Sequence, residues 1–340
     1  MENLRKMGFS LWCDFIEKEF LNTRFKELVN NGIIYGATSN PAIFANAILK
    51  SNSYKNDKEK LKGKRPKEIY ENLAFSDIAN AADSMLKLYK VNNDDGFISI
   101  EIDPFLCNDA TKSIDEGKRI FKSINKPNVM IKVPATNAGF EVINELTKSN
   151  INVNATLIFS PLQAKSCMES INKNSTSKCV ISVFVSRFDR FMQDLAKNNA
   201  QDSALQTKSN ANSKCLEEFL KQDSTPKLGI YNAIKCRAIV ESFNNANTRA
   251  LFASTGVKDS FINDNYYVES LLSKNTINTA PLGTIESFIK NGNKTMQSEI
   301  SLDLVEKYLS HFNMNEMYDS LLESGLNAFI ESFETMLKAI

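Results

Sequence analysis

A lysine inside an apolar run is the first residue of this 340-residue sequence that calls for a chemical reason. Lys132 lies in VMIKVP, where a solvated surface lysine is not expected. Burying an ammonium disfavours its charged form, and a neutral amine is a nucleophile. On a strand, Lys132 shares a face with Met130 and Pro134 while Ile131 and Val133 take the other, so in a closed barrel the amine would point inward. The competing reading is a strand-end lysine that snorkels into water or pairs with a carboxylate.

The neighbouring runs supply the remaining parts. FISIEID places Glu101 in phase with Ser99 and Asp103, and GFSLWCD ends on Asp14. YGATSNPAIF offers Thr38, Ser39 and Asn40; INVNATLIF alternates Asn152, Asn154 and Thr156 with Val153, Ala155 and Leu157. In ISVFVSR, Ser182 shares a face with Phe184, and Arg187 follows the end of the run, where a fixed guanidinium suits a phosphate. Taken singly, a strand asparagine is more often a satisfied core polar group, and an arginine past a strand more often a surface ion pair. Together, a buried amine, two carboxylates, neutral hydrogen-bonding groups and a cation describe Schiff-base chemistry on a phosphorylated carbonyl compound, a metal-free aldol reaction.

Eight short apolar or alternating runs could position these residues: 8–14, 32–36, 97–103, 128–134, 151–159, 178–185, 249–255 and 276–279. Stretches between them, such as 70–89 and 111–123, repeat apolar residues every three or four positions and suit crossover helices. Strand and helix alternating eight times close most economically into an α/β fold of the (β/α)8 TIM-barrel type, with catalytic groups at the C-terminal ends of the strands. An open doubly wound sheet is the alternative, but it usually carries a glycine-rich phosphate turn, and among 12 glycines there is no G-x-G-x-x-G. Length alone would suggest about two domains, yet a barrel with additions also reaches it. The expectation is a single barrel domain over 1–340, with an insertion around 191–230 rich in Asn, Ser, Lys and Gln and extra amphipathic helices over 302–340. In such a barrel those last helices could cover the bottom, pack on the outer ring or reach over the site; plain packing is the default.

Composition narrows the chemistry. The single histidine, His311, argues against catalytic zinc and against Ser or Cys nucleophiles that need an imidazole base. Six cysteines without C-x-x-C spacing read as reduced, buried thiols. A net charge of +1 supports neither a nucleic-acid footprint nor a membrane surface, and no apolar run approaches the roughly 18 residues of a spanning helix. Acids at Asp14, Glu17 and Glu19 interrupt any signal core. A soluble cytoplasmic protein with a small-molecule partner is expected; its terminal amphipathic helices could pack internally or against a partner, and a homodimer is the commonest homo-oligomer.

On these residues the sequence resembles the transaldolase family over almost its full length. YGATSNPAIF is similar to the family's first signature and VMIKVPATNAG to the second; SIEIDP, NATLIFS and FVSR follow in the expected order. The Trp12–Cys13–Asp14 opening, FASTGVKD, YYVESLL and TINTAPLGTIESF resemble its longer bacterial branch. The resemblance implies Lys132 as the Schiff-base lysine, Asp14 as acid/base at the C4 hydroxyl, and Glu101 as acid/base through a water with Thr156. It implies Asn40, Asn154 and Ser182 on the dihydroxyacetone hydroxyls, Thr38 and Phe184 shaping the pocket, and Arg187 on the phosphate. Many members carry an arginine two residues past the seventh-strand serine; here Ser254 is followed by Thr255 and Gly256, so Lys258 takes the role of second phosphate cation. No cofactor is implied. The implied reaction moves a dihydroxyacetone unit from sedoheptulose 7-phosphate or fructose 6-phosphate to glyceraldehyde 3-phosphate or erythrose 4-phosphate, in the non-oxidative pentose phosphate pathway. Fructose 6-phosphate aldolase-type cleavage is the alternative within the family, disfavoured by chain length and by Glu101; a barrel that binds sugar phosphates without turnover is the alternative outside it.

Overall fold

Short runs rich in β-branched residues form eight parallel strands: β1 (Ser10–Cys13), β2 (Gly36–Thr38), β3 (Phe97–Glu101), β4 (Val129–Pro134), β5 (Asn152–Ile158), β6 (Cys179–Phe184), β7 (Thr248–Ala253) and β8 (Thr276–Ala280). In the computed structural model, which describes residues 1–201, 227–258 and 262–340, they pair in sequence order and close, β8 returning to β1. This is the expected (β/α)8 barrel. Helices Arg24–Asn30, Pro66–Asn92, Ala110–Ile124, Asn137–Lys148, Pro161–Ser170 and Leu228–Ser242 lie between successive strands. The expected insertion is bounded by helix Ser186–Gln201 and helix Leu228–Ser242; its residues 202–226 lie outside the described ones.

Strand alternation divides the core as anticipated. Ile98, Ile100, Ile131, Val133, Val153 and Val183 pack outward against the helices. Met130 joins Trp12, Phe97, Val180, Leu251 and Ile277 in a separate cluster. The N-terminal mouth is tied by Arg249, which donates to the carbonyls of Gly8 at 2.6 Å and Thr276 at 2.9 Å, and by Asp95, 3.1 Å from Arg5 and 3.5 Å from Arg249. Among the described residues, no helix is long and apolar enough to cross a membrane.

One expectation changes. The second strand is not 32–36 but Gly36–Thr38: the chain turns at Gly32, with φ near +62°, and the ladder starts only at Gly36 opposite Phe97. The apolar IIY drew the boundary early, whereas the strand proper carries a polar residue inward, Thr38, whose hydroxyl is satisfied there. Of the three placements left open for the last helix, Met314–Ala339 takes the one that reaches over the site. It runs over the C-terminal mouth, packing on helix Pro41–Lys50, the turn Pro104–Leu106 and β5.

Candidate active site

Parallel ladders set Glu101, Lys132 and Asn154 abreast: Glu101 registers with Lys132 on β3 and β4, and Lys132 with Asn154 on β4 and β5. Lys132 is 5 % exposed. Its Nζ donates to the Ser39 carbonyl at 2.9 Å and lies 3.1 Å from Oε2 of Glu101. The end of β4 is held close to the following helix by Gly139, where a Cβ would stand 1.9 Å from the Pro134 carbonyl oxygen.

A cavity of about 210 Å³ opens on the amine at the strands' C-terminal ends. Of the residues singled out from sequence, Asp14, Thr38, Asn40, Lys132, Thr156, Ser182, Phe184, Arg187 and Ser254 line it. Asn154 sits behind the wall in a hydrogen-bonded chain: Ser182 donates to its Oδ1 at 2.6 Å and its Nδ2 donates to Ser99 at 2.9 Å. Glu101 also lies behind, reached through Lys132. Lys258 does not line the cavity; it is exposed, and its charge feels those of Arg190 and Arg187.

Each polar group has an orientation set by its element. Asn40 caps helix Pro41–Lys50, its Oδ1 accepting from the Ile43 N–H at 3.0 Å, which leaves the side-chain N–H groups for a ligand. The Thr38 hydroxyl donates to Asp14 at 2.5 Å and lies 2.7 Å from that of Thr279. The backbone of Asp14 is pinned to β8 through the Ala280 carbonyl. Burial pushes the carboxyls of Asp14 and Glu101 up; the Lys132 charge pulls each part of the way back, helped at Asp14 by the Thr38 hydroxyl. Raised carboxyls hold and release a proton nearer neutrality, as general acid–base work requires. The buried hydroxyl of Thr156 and, beyond the lysine, both oxygens of Glu101 have no hydrogen-bond partner among the described residues.

In the same cavity lining, the Arg187 guanidinium lies 5.1 Å from the centroid of the Phe184 ring. Among the described residues no carboxylate pairs with it. Burial and the neighbouring Arg190 both disfavour its charge, so an anion bound there would relieve an uncompensated cation. Ser254, at φ near +56°, lines the same cavity, its hydroxyl 3.0 Å from that of Ser186.

The structure adds wall residues that strand reasoning missed. Ala328, Phe329 and Ser332 come from the helix over the mouth, and Ala42, Ala253 and Thr279 from the barrel rim. Phe329 places its ring centroid 5.7 Å from Nζ of Lys132. The available signal was a break in an apolar face: Gly325, Ala328 and Ser332 are small where Leu321 and Phe333 are large.

A closed parallel barrel thus carries, at the C-terminal ends of its strands, a buried lysine with a carboxylate beside it and a cation lining the same cavity. Residues 11–340 match the family described as transaldolase/fructose-6-phosphate aldolase, and the chain belongs to that family. It is 44% identical over 336 residues to a transaldolase of Helicobacter pylori (strain Shi470), covering 97% of this chain and 99% of that protein. It is 44% identical over 352 residues to a transaldolase of Campylobacter jejuni (serotype O:6, strain 81116), covering 98% and 99%.

Proposed function

We propose that this chain is a transaldolase working through a Schiff base on Lys132, without cofactor. The observation that carries the reading is the buried amine 3.1 Å from a carboxylate, opening on a cavity that is also lined by Asp14 and by Arg187, which no carboxylate among the described residues pairs with. The amine attacks the C2 ketone of fructose 6-phosphate or sedoheptulose 7-phosphate, and loss of water leaves an iminium. Glu101, with the Thr156 hydroxyl and an intervening water, moves the protons of carbinolamine formation and collapse. Asp14 takes the C4 hydroxyl proton; the C3–C4 bond breaks toward the iminium, releasing an aldose phosphate and leaving a three-carbon enamine on Lys132. Asn40 and Ser182, the latter oriented by Asn154, hold the dihydroxyacetone hydroxyls, while Thr38 and Phe184 shape the pocket. Arg187 grips the phosphate beside Ser254, and Lys258 adds a second positive charge from outside the cavity wall. An acceptor such as erythrose 4-phosphate or glyceraldehyde 3-phosphate reverses the steps, the transfer reaction of the non-oxidative pentose phosphate pathway in the cytoplasm.

Borohydride reduction in the presence of fructose 6-phosphate tests this directly. Mass spectrometry is expected to find a three-carbon adduct on Lys132, absent in Lys132→Arg, because a guanidinium does not deprotonate. An active wild-type preparation with an unmodified Lys132 overturns the reading. Release of free dihydroxyacetone at the full rate without acceptor would instead assign the aldolase activity that the family description also names.

A further inference from the structure

The helix over the mouth turns one face to the site: Ala328, Phe329 and Ser332 line the cavity, and Gly325 lies one turn earlier on the same side. Three of these residues are small, and the single large one stands over the amine. The polar neighbours of Lys132 are the Glu101 carboxylate and the Ser39 carbonyl; its aromatic neighbour is Phe329. Phe329 also lines a second, smaller cavity of about 10 Å³, walled by Glu101, Ile102, Pro104, Cys107, Pro134 and Leu326. It is the one residue that lines both spaces, so its ring is the partition between them.

We infer that Phe329 is a specificity-determining residue that sets the ratio of transfer to release. This inference rests on the Schiff-base reading of Lys132. Once the aldose phosphate has left, the three-carbon enamine has two fates. It attacks an acceptor aldehyde, or its terminal carbon takes a proton from water. In the second case the resulting iminium adds the hydroxide, and the carbinolamine collapses to free dihydroxyacetone and the lysine amine, one water being consumed overall. The second route needs a water that can reach the enamine's terminal carbon. The Phe329 ring sets an apolar surface 5.7 Å from Nζ of Lys132 and lines the small cavity on the Glu101 side, which is of the size one water needs. Phe184 lines the same cavity as Lys132, its ring packed against Phe159 at 5.3 Å and the Arg187 guanidinium at 5.1 Å.

The test compares dihydroxyacetone release from fructose 6-phosphate alone with transfer to erythrose 4-phosphate, in wild type, Phe329→Ala and Phe329→Leu. Phe329→Ala is expected to raise the release-to-transfer ratio by about tenfold, with Phe329→Leu between the two, while borohydride still traps the adduct on Lys132 in every protein. Phe329→Leu keeps most of the apolar volume and carries the test if the alanine variant does not fold. Phe333→Leu, one turn on and packed against Tyr70 at 5.1 Å, serves as control: it loosens the same helix and is expected to leave the ratio unchanged. A wild-type ratio in the folded Phe329 variants, or an equal rise in Phe333→Leu, overturns the inference. Failure to trap any adduct on wild-type Lys132 overturns the Schiff-base reading instead.

Discussion

Replacing Gly325 by alanine is expected to weaken phosphate binding without weakening the fold. A Cβ at Gly325 would stand 3.0 Å from Cδ2 of Leu157 and 3.1 Å from Nη1 of Arg187. Both atoms are the far ends of flexible side chains, so the helix keeps its place and the guanidinium and the leucine each give way by a few tenths of an ångström. Within a helix, alanine is favoured over glycine by about 0.5–1 kcal/mol, which offsets much of that crowding, and the melting temperature should stay level or rise. Binding changes differently. A hydrogen bond to a charged group contributes about 1.5–3 kcal/mol, and losing roughly half of it through displacement of Arg187 amounts to about 1.1 kcal/mol, or about sixfold. Steady-state kinetics with fructose 6-phosphate should therefore show KM raised by about sixfold, with kcat/KM for unphosphorylated fructose unchanged. An unchanged KM for the phosphorylated sugar, or equal losses on both, would refute the link between this helix and Arg187.

Glu101→Gln keeps the size of the side chain but removes its proton-accepting oxygen. Turnover should fall by about 10²–10⁴-fold, and the acid limb of the wild-type pH–rate profile, displaced upward because burial raises the Glu101 and Asp14 carboxyls, should in the variant reduce to the part that Asp14 sets. Asp77, buried and accepting from the Tyr54 hydroxyl at 2.6 Å, is pushed up by burial to about 6. Because the folded protein holds this proton more tightly than the unfolded chain, wild type should lose stability relative to Asp77→Asn as pH rises from about 4 through 6, by about 3 kcal/mol. Denaturant titrations at several pH values check this; a difference that does not vary with pH contradicts it.

Strand faces and their polar cargo were legible because a strand alternates sides every residue, a purely local rule. That rule placed Lys132 inward beside Met130, and it put Glu101, Asn154 and Ser182 on strands that the ladder then set side by side. It misplaced β2, where an apolar approach (IIY) outweighed a short strand whose inward residue is a threonine bonded to Asp14 and Thr279. Lys258 follows β7 in the chain, and sequence spacing alone could not say that it stays exposed outside the cavity wall while Arg187 enters it.

The roof lay beyond any local rule. An amphipathic repeat over 314–339 specifies a helix with one apolar face, but three faces of a barrel could bury it equally well. The choice came from fit between distant parts: small residues at Gly325, Ala328 and Ser332 let the helix lie low over Leu157 and Arg187, and Phe329 fills the space above Lys132. The residues with chemical potential, and the strand edges that carry them, were thus determined by the order of amino acids. What covers the amine was decided only in three dimensions, because shape complementarity between segments nearly two hundred residues apart leaves no periodic trace in either one.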